Sequence, residues 1–158
     1  MKFTADSSVL VGLYANKSSL QEVERFVIED NKTLGVSELT RIEVLNVLLR
    51  KSATEAAAQF EEDLKNTARI RLDRVDWPIV FRQAESLARR FSRTLRPDGH
   101  DLVIVAAAVT VGSHWFLSLD EASRQRVLAA CAGLKVWPPL NSDEKGLVKH
   151  ATRQSNGR

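Results

Sequence analysis

Four carboxylates stand out for where they fall in the chain: Asp6, Glu43, Asp101 and Asp120. Three of them follow or adjoin a short apolar stretch, and Glu43 lies on a helical stretch just after one. Carboxylates gathered in one crevice repel one another, and the common remedy is a divalent cation. The set therefore reads first as a metal site. Magnesium suits it, because that ion takes few carboxylates, keeps several waters and leaves room for phosphate oxygens. Two ions about 3.5–4 Å apart would stabilise the attacking and leaving oxygens of an in-line displacement, which is nuclease chemistry. Each acid alone also has a plainer reading. Asp6 would cap a helix, Asp101 would face a helix dipole, Glu43 would lie on a solvated face and Asp120 would be a loop acid.

The elements that must position these acids alternate in type. Phe3-Thr4-Ala5 predicts a short buried strand ending at Asp6, with Ser7 or Ser8 capping a helix through Tyr14. Leu20 to Ile28 has helical spacing, and Leu34 to Ser37 is a second short strand. From Ser37 a helix carries Leu39, Ile42, Leu45, Val47, Leu48 and Leu49 as a broad apolar face, with Glu43 about one and a half turns in. Ala53 to Ala68 is a further helix and Ile70-Arg71-Leu72 a weak strand. Pro78 opens a helix whose apolar face holds Val80, Phe81, Ala84, Leu87, Ala88 and Phe91. Arg96 to His100 reads as a turn, and Leu102 to Val111 as a buried helix headed by Asp101. Trp115 to Leu119 is a strand ending at Asp120, Ala122 to Ala132 a helix stopped by Gly133, and Leu134 to Trp137 a last strand. Such alternation implies an α/β fold with a parallel sheet covered on both faces, whose ligands bind beyond the carboxyl ends of the strands.

The totals agree with one globular domain. The chain has 158 residues, of which 44% are hydrophobic and 27% charged. Its net charge is +3 and its pI about 9.2, a mild lean toward anionic partners. A single cysteine, Cys131, excludes an intramolecular disulfide and a multi-cysteine zinc cluster. The first residues lack the apolar core of a signal peptide, and no apolar run approaches the ~18 residues of a membrane span. The expected setting is cytoplasmic, with no membrane partner. Residues 1–140 read as the domain, and 141–158 as a polar tail that frays.

The wording of the motifs is familiar. Thr4 to Leu10, Ser37 to Leu48, His100 to Ala108, Phe116 to Asp120 and Ala132 to Val136 together resemble a PIN domain, and within it the VapC toxins of type II toxin–antitoxin pairs. The resemblance runs from about Phe3 to Val136. It implies a three-layer α/β/α sandwich with a mainly parallel central sheet, and Mg²⁺- or Mn²⁺-dependent endoribonuclease activity. Asp6, Glu43, Asp101 and Asp120 fall on the family's acidic positions, as metal ligands and catalytic residues. Ser8 and Ser118 fall on its supporting hydroxyl positions. Ile104 stands where many relatives carry histidine, and His100 is too differently placed to replace it. The resemblance further implies an RNA substrate, a cognate antitoxin and a homodimer, with the helices between Leu20 and Ala68 as the region that commonly receives the antitoxin. Arg41, Arg50, Arg96 and Arg124 are candidates for the RNA backbone, each with the alternative of a solvated helix charge. Trp115 and Trp137 read as core or sheet-end residues rather than base-stacking platforms, and Trp77 as part of an exposed apolar groove. Two rival readings stand beside the nuclease. One is a catalytically silent binding module of the same fold. The other is an aspartate-based phosphatase, which Ser8 disfavours because such enzymes want a second aspartate there.

Overall fold

The computed structural model describes residues 1–15, 17–28, 32–66 and 69–156. Contacts divide the chain into two compact units, Lys2–Arg74 and Val75–Arg158 with Met1. The first contains β1 (Phe3–Ala5), α1 (Ser7–Ala15), α2 (Lys17–Ile28), β2 (Leu34–Val36), α3 (Glu38–Arg50), α4 (Thr54–Asn66) and β3 (Ile70–Leu72). The second contains α5 (Trp77–Leu95), α6 (Gly99–Thr110), β4 (Trp115–Leu117), α7 (Gln125–Cys131), β5 (Lys135–Trp137) and α8 (Ser142–Asn156).

In the first unit β2 lies between β1 and β3, and both pairings are parallel, with Phe3 opposite Leu34 and Gly35 opposite Arg71. These strands are short and apolar, and β1 and β2 are buried along their whole length. Parallel strands need crossovers, which here are helical. Helix α1 packs on α2, α3 and α4 through Val9, Leu10 and Leu13. Ser37 caps α3, its hydroxyl accepting from the Thr40 amide at 3.2 Å. Gly35 is required by a close approach. A Cβ there would collide with Asp73 Oδ2 and stand 2.9 Å from the Phe3 carbonyl oxygen. Asp73 is in turn pinned over the strand by Arg71, whose Nε donates to Oδ1 at 2.9 Å. Gly35→Ala is expected to destabilise the protein by about 1–3 kcal/mol through overpacking, read from the midpoint of urea unfolding.

In the second unit β4 and β5 pair in parallel, with Phe116 opposite Val136. Helix α5 packs on α6 and α8, and α7 packs on α6, α8 and β5. Asp76 caps α5, Pro78 lies in its first turn, and Val80, Ala84, Leu87, Phe91 and Leu95 form its buried stripe. This is the mixed α/β class with parallel strands that the alternating pattern predicts.

Several boundaries differ from expectation. Helix α6 begins at Gly99, so Gly99 and His100 are helical rather than part of the turn, because Asp98 supplies the cap. Helix α7 begins only at Gln125, since the segment before it is folded around Asp120. Phe81 is 54% exposed instead of joining the apolar face of α5. The stretch beyond Leu140, expected to fray, is helix α8 from Ser142 to Asn156. It is anchored by buried Ala151 and by a buried ion pair through Glu144. Ala68, Gly157 and Arg158 lie outside the described residues. No described helix is long and apolar enough to cross a membrane.

Candidate functional site

Asp6 follows β1 directly and is only 2% exposed. Its Oδ1 accepts from the Ser8 hydroxyl at 2.7 Å and from the Val9 amide at 3.2 Å. The strand end thus delivers the carboxylate, and the first turn of α1 orients it. This makes Asp6 a capping acid in geometry as well as a candidate ligand, with the Ser8 hydroxyl, a candidate supporting group, donating to it. Glu43 sits half-buried on α3, between buried Val44 and exposed Ile42. Asp6 and Glu43 belong to the Lys2–Arg74 unit.

Asp101 and Asp120 belong to the other unit. Asp101 lies in the first turn of α6 and is 5% exposed. Asp98 caps that helix, its Oδ1 accepting from the Asp101 amide at 2.7 Å. Burial pushes the Asp101 carboxyl above its ordinary range, and the charges of Asp98 and then Asp120 push the same way. Backbone hydrogen bonds involving Asp98 and Arg124 oppose the rise without cancelling it. Asp120 is held by its own loop: Oδ1 accepts from the amides of Ala122 at 2.9 Å and Ser123 at 3.1 Å. Its amide donates to the Ser118 hydroxyl at 3.2 Å, and Ser118 is fully buried.

The second unit therefore brings Asp101 and Asp120 within electrostatic reach, and the first fixes Asp6 through Ser8. A buried oxygen donor whose ionised form is disfavoured, as at Asp101, suits a hard divalent cation. Among the described residues, however, no three His, Cys, Asp or Glu side chains are gathered closely enough to hold a metal ion. The donor chemistry fits such an ion, while a complete ligand set is not gathered.

The four candidate arginines differ. Arg41 lies beside Glu61, with NH2 to Oε1 at 3.3 Å. Arg50 and Arg96 are exposed, Arg96 as the left-handed cap of α5 at φ 51°. Arg124 is exposed and precedes α7, and its backbone hydrogen bond lies at Asp101.

Two residues matter here that sequence reasoning passed over. Asp98 both caps α6 and loads charge onto Asp101; the Pro97-Asp98-Gly99 turn just before an apolar helix was a readable cap signal. Arg126 is 1% exposed. It donates from NH1 to the Ser118 carbonyl at 2.8 Å and from Nε to Glu144 Oε1 at 2.7 Å. It thereby ties the strand end before Asp120 to α8. No local signal pointed to it, since its acidic partner lies far along the chain.

The profile of the PIN domain matches residues 4–128, which span all four acids. A comparison with curated proteins finds no match.

Proposed function

The chain belongs to the PIN domain family, a nuclease-type fold, and from that premise we propose that it is a Mg²⁺- or Mn²⁺-dependent endoribonuclease acting as the toxin of a type II toxin–antitoxin pair. The observation that carries the proposal is Asp101, a buried carboxylate beside Asp120 whose negative charge the protein opposes. A cation is the natural counterweight to such a pair. In this reading Asp6, Glu43 and Asp101 hold the first ion, and Asp120 completes the site or helps hold a second. When bound, the ion supplies positive charge to the scissile phosphate and lowers the pKa of an attacking water.

The protein's own groups do the positioning. Ser8 fixes the rotamer of Asp6 through its hydroxyl, and Ser118 receives the Asp120 amide. Arg126 holds the Ser118 carbonyl in place. Arg41, Arg50, Arg96 and Arg124 meet the RNA backbone in this reading. A cognate antitoxin would occupy the helices of the first unit, and the active form would be a homodimer in the cytoplasm.

Purified protein should cleave single-stranded RNA when Mg²⁺ or Mn²⁺ is added and lose that activity in EDTA. Equal cleavage in EDTA sinks the metal-dependent reading. Failure to cleave RNA, with no heat of Mn²⁺ binding by calorimetry, favours the catalytically silent module instead. Growth arrest on expression, relieved by a neighbouring small DNA-binding protein, tests the toxin role separately.

A further inference from the structure

Helix α5 turns its buried stripe toward its own unit and leaves an opposite face of which the nuclease reading uses only Arg96, at its end. Trp77 to Arg96 contains five arginines against one glutamate, Glu85, a net +4 that exceeds the +3 of the whole chain. Arg82, Arg89, Arg93 and Arg96 recur at helical spacing and all four are exposed. At 100° per residue Arg82, Arg89 and Arg93 fall on the side directly away from Val80, Leu87 and Phe91, and Arg96 follows as the left-handed cap. From Arg82 to Arg96 the row is about 21 Å long. None of the four makes a side-chain hydrogen bond or an ion pair with a described residue. Arg90, by contrast, is turned aside to Ser155 at 3.3 Å and to the Phe91 ring.

An aromatic pair begins the same helix. The rings of Trp77 and Phe81 lie 6.1 Å apart at 37°, and Phe81 is 54% exposed. A solvated helix face normally mixes both signs of charge. Here the arginines outnumber the one acid among them, Glu85, which lies between Arg82 and Arg89, and half-buried Trp77 and exposed Phe81 lie about a quarter turn or more round the helix from them. Basic residues with rings to one side are the combination that tracks a single strand: arginines for successive phosphates, rings for unstacked bases. Charge complementarity excludes an acid-poor partner, and the rings distinguish a nucleic acid strand from a merely anionic surface.

We propose that the Arg82–Arg89–Arg93–Arg96 row and the Trp77–Phe81 pair form a binding track for single-stranded RNA outside the acidic site. The choice of RNA as occupant rests on the endoribonuclease reading. The track would hold substrate while the acids act on it, so that affinity and cleavage draw on separate residues.

The test is fluorescence anisotropy with a labelled single-stranded oligouridylate in EDTA, over a range of NaCl concentrations. The triple variant Arg82→Gln/Arg89→Gln/Arg93→Gln should flatten the log–log salt slope by about 2, at roughly 0.7 per lost phosphate contact. Phe81→Ala should weaken binding at least about fivefold and leave the slope unchanged, as loss of a stacking ring does. Both sets lie at exposed positions, and matching circular dichroism melts check that they remain folded. A triple variant with the wild-type slope overturns the track, as does an unmodified protein that binds no RNA. A surface that serves a protein partner would leave RNA affinity untouched in both variants and overturn it equally. RNA cleavage by a protein whose variants keep the wild-type slope refutes the track and leaves the nuclease standing. A flattened slope in a protein that never cleaves does the reverse.

Discussion

Glu144→Leu is expected to cost about 3–5 kcal/mol of stability, the largest effect of any single substitution away from the acids. Arg126 is among the most deeply buried large side chains in the protein. Its guanidinium is satisfied on every side: Glu144 Oε1 at 2.7 Å and Oε2 at 3.2 Å, and the carbonyls of Ser118, Pro138 and Pro139 at 2.8, 3.1 and 3.3 Å. Removing the carboxylate leaves a charge that cannot be neutralised, since an arginine keeps its proton in proteins. Glu144 also closes the start of α8. Its Oε2 accepts from the Asn141 amide at 2.8 Å, and its own amide donates to Asn141 Oδ1 at 2.9 Å, a reciprocal cap. The double variant Arg126→Met/Glu144→Leu should be milder than Glu144→Leu, because it removes the stranded charge along with its partner. Urea unfolding of the two variants measures the difference. A loss below about 1 kcal/mol in Glu144→Leu would show that the pair contributes little.

Asp101→Asn is expected to lower RNA cleavage by at least about a hundredfold without lowering stability at neutral pH. The sign follows from the raised carboxyl. Burial and the neighbouring Asp98 and Asp120 charges favour the protonated form in the folded state. Asp101 therefore contributes its full stability only below the ordinary aspartate range, and that contribution is lost as pH rises through its raised folded value. At neutral pH without metal the ionised side chain is a cost, which asparagine removes while keeping an oxygen for the backbone hydrogen bond. Thermal melts in EDTA should place the variant at or above the wild type at pH 7, with the order narrowing toward acid. Adding Mn²⁺ should stabilise the wild type, by about 2.7 kcal/mol at a hundredfold excess over Kd, and leave the variant nearly unmoved. A variant that cleaves normally, or that melts well below the wild type at pH 7, contradicts this account.

Local chemistry explains why much of the fold could be read in advance. Short apolar strands ending in Asp6 and before Asp120, serine caps at Ser37, Pro78 at a helix start and Gly133 at a helix end are each set by neighbours within a turn or two. Hydrophobic spacing alone then assigns most helices. The misplaced boundaries at α6 and α7 share a cause: in each an aspartate side chain captures backbone amides, a capture signalled locally by Pro97-Asp98-Gly99 at α6 and by no cap motif at α7. Asp98 extends α6 backward, and Asp120 delays α7. The C-terminal stretch misled for a related reason. Helix α8 is polar along most of its length, so its anchors are one small buried alanine and one ion pair rather than an apolar stripe.

The acids show the same division. Their identity, order and spacing, together with the alternating strands and helices, were settled by the sequence, because those properties depend on residue type and position along the chain. Their environment was decided only by tertiary structure. Which carboxylate is buried, which is held by its own loop and which carries its neighbours' charge depend on contacts that the chain order does not encode. Arg126 makes the point most sharply. In the sequence it is a basic residue beside an apolar run, and in the fold it is a buried hub joining β4, the segment after β5 and α8. Burial turns a charge from a solubility feature into an organising one, and burial is a property of the assembled chain.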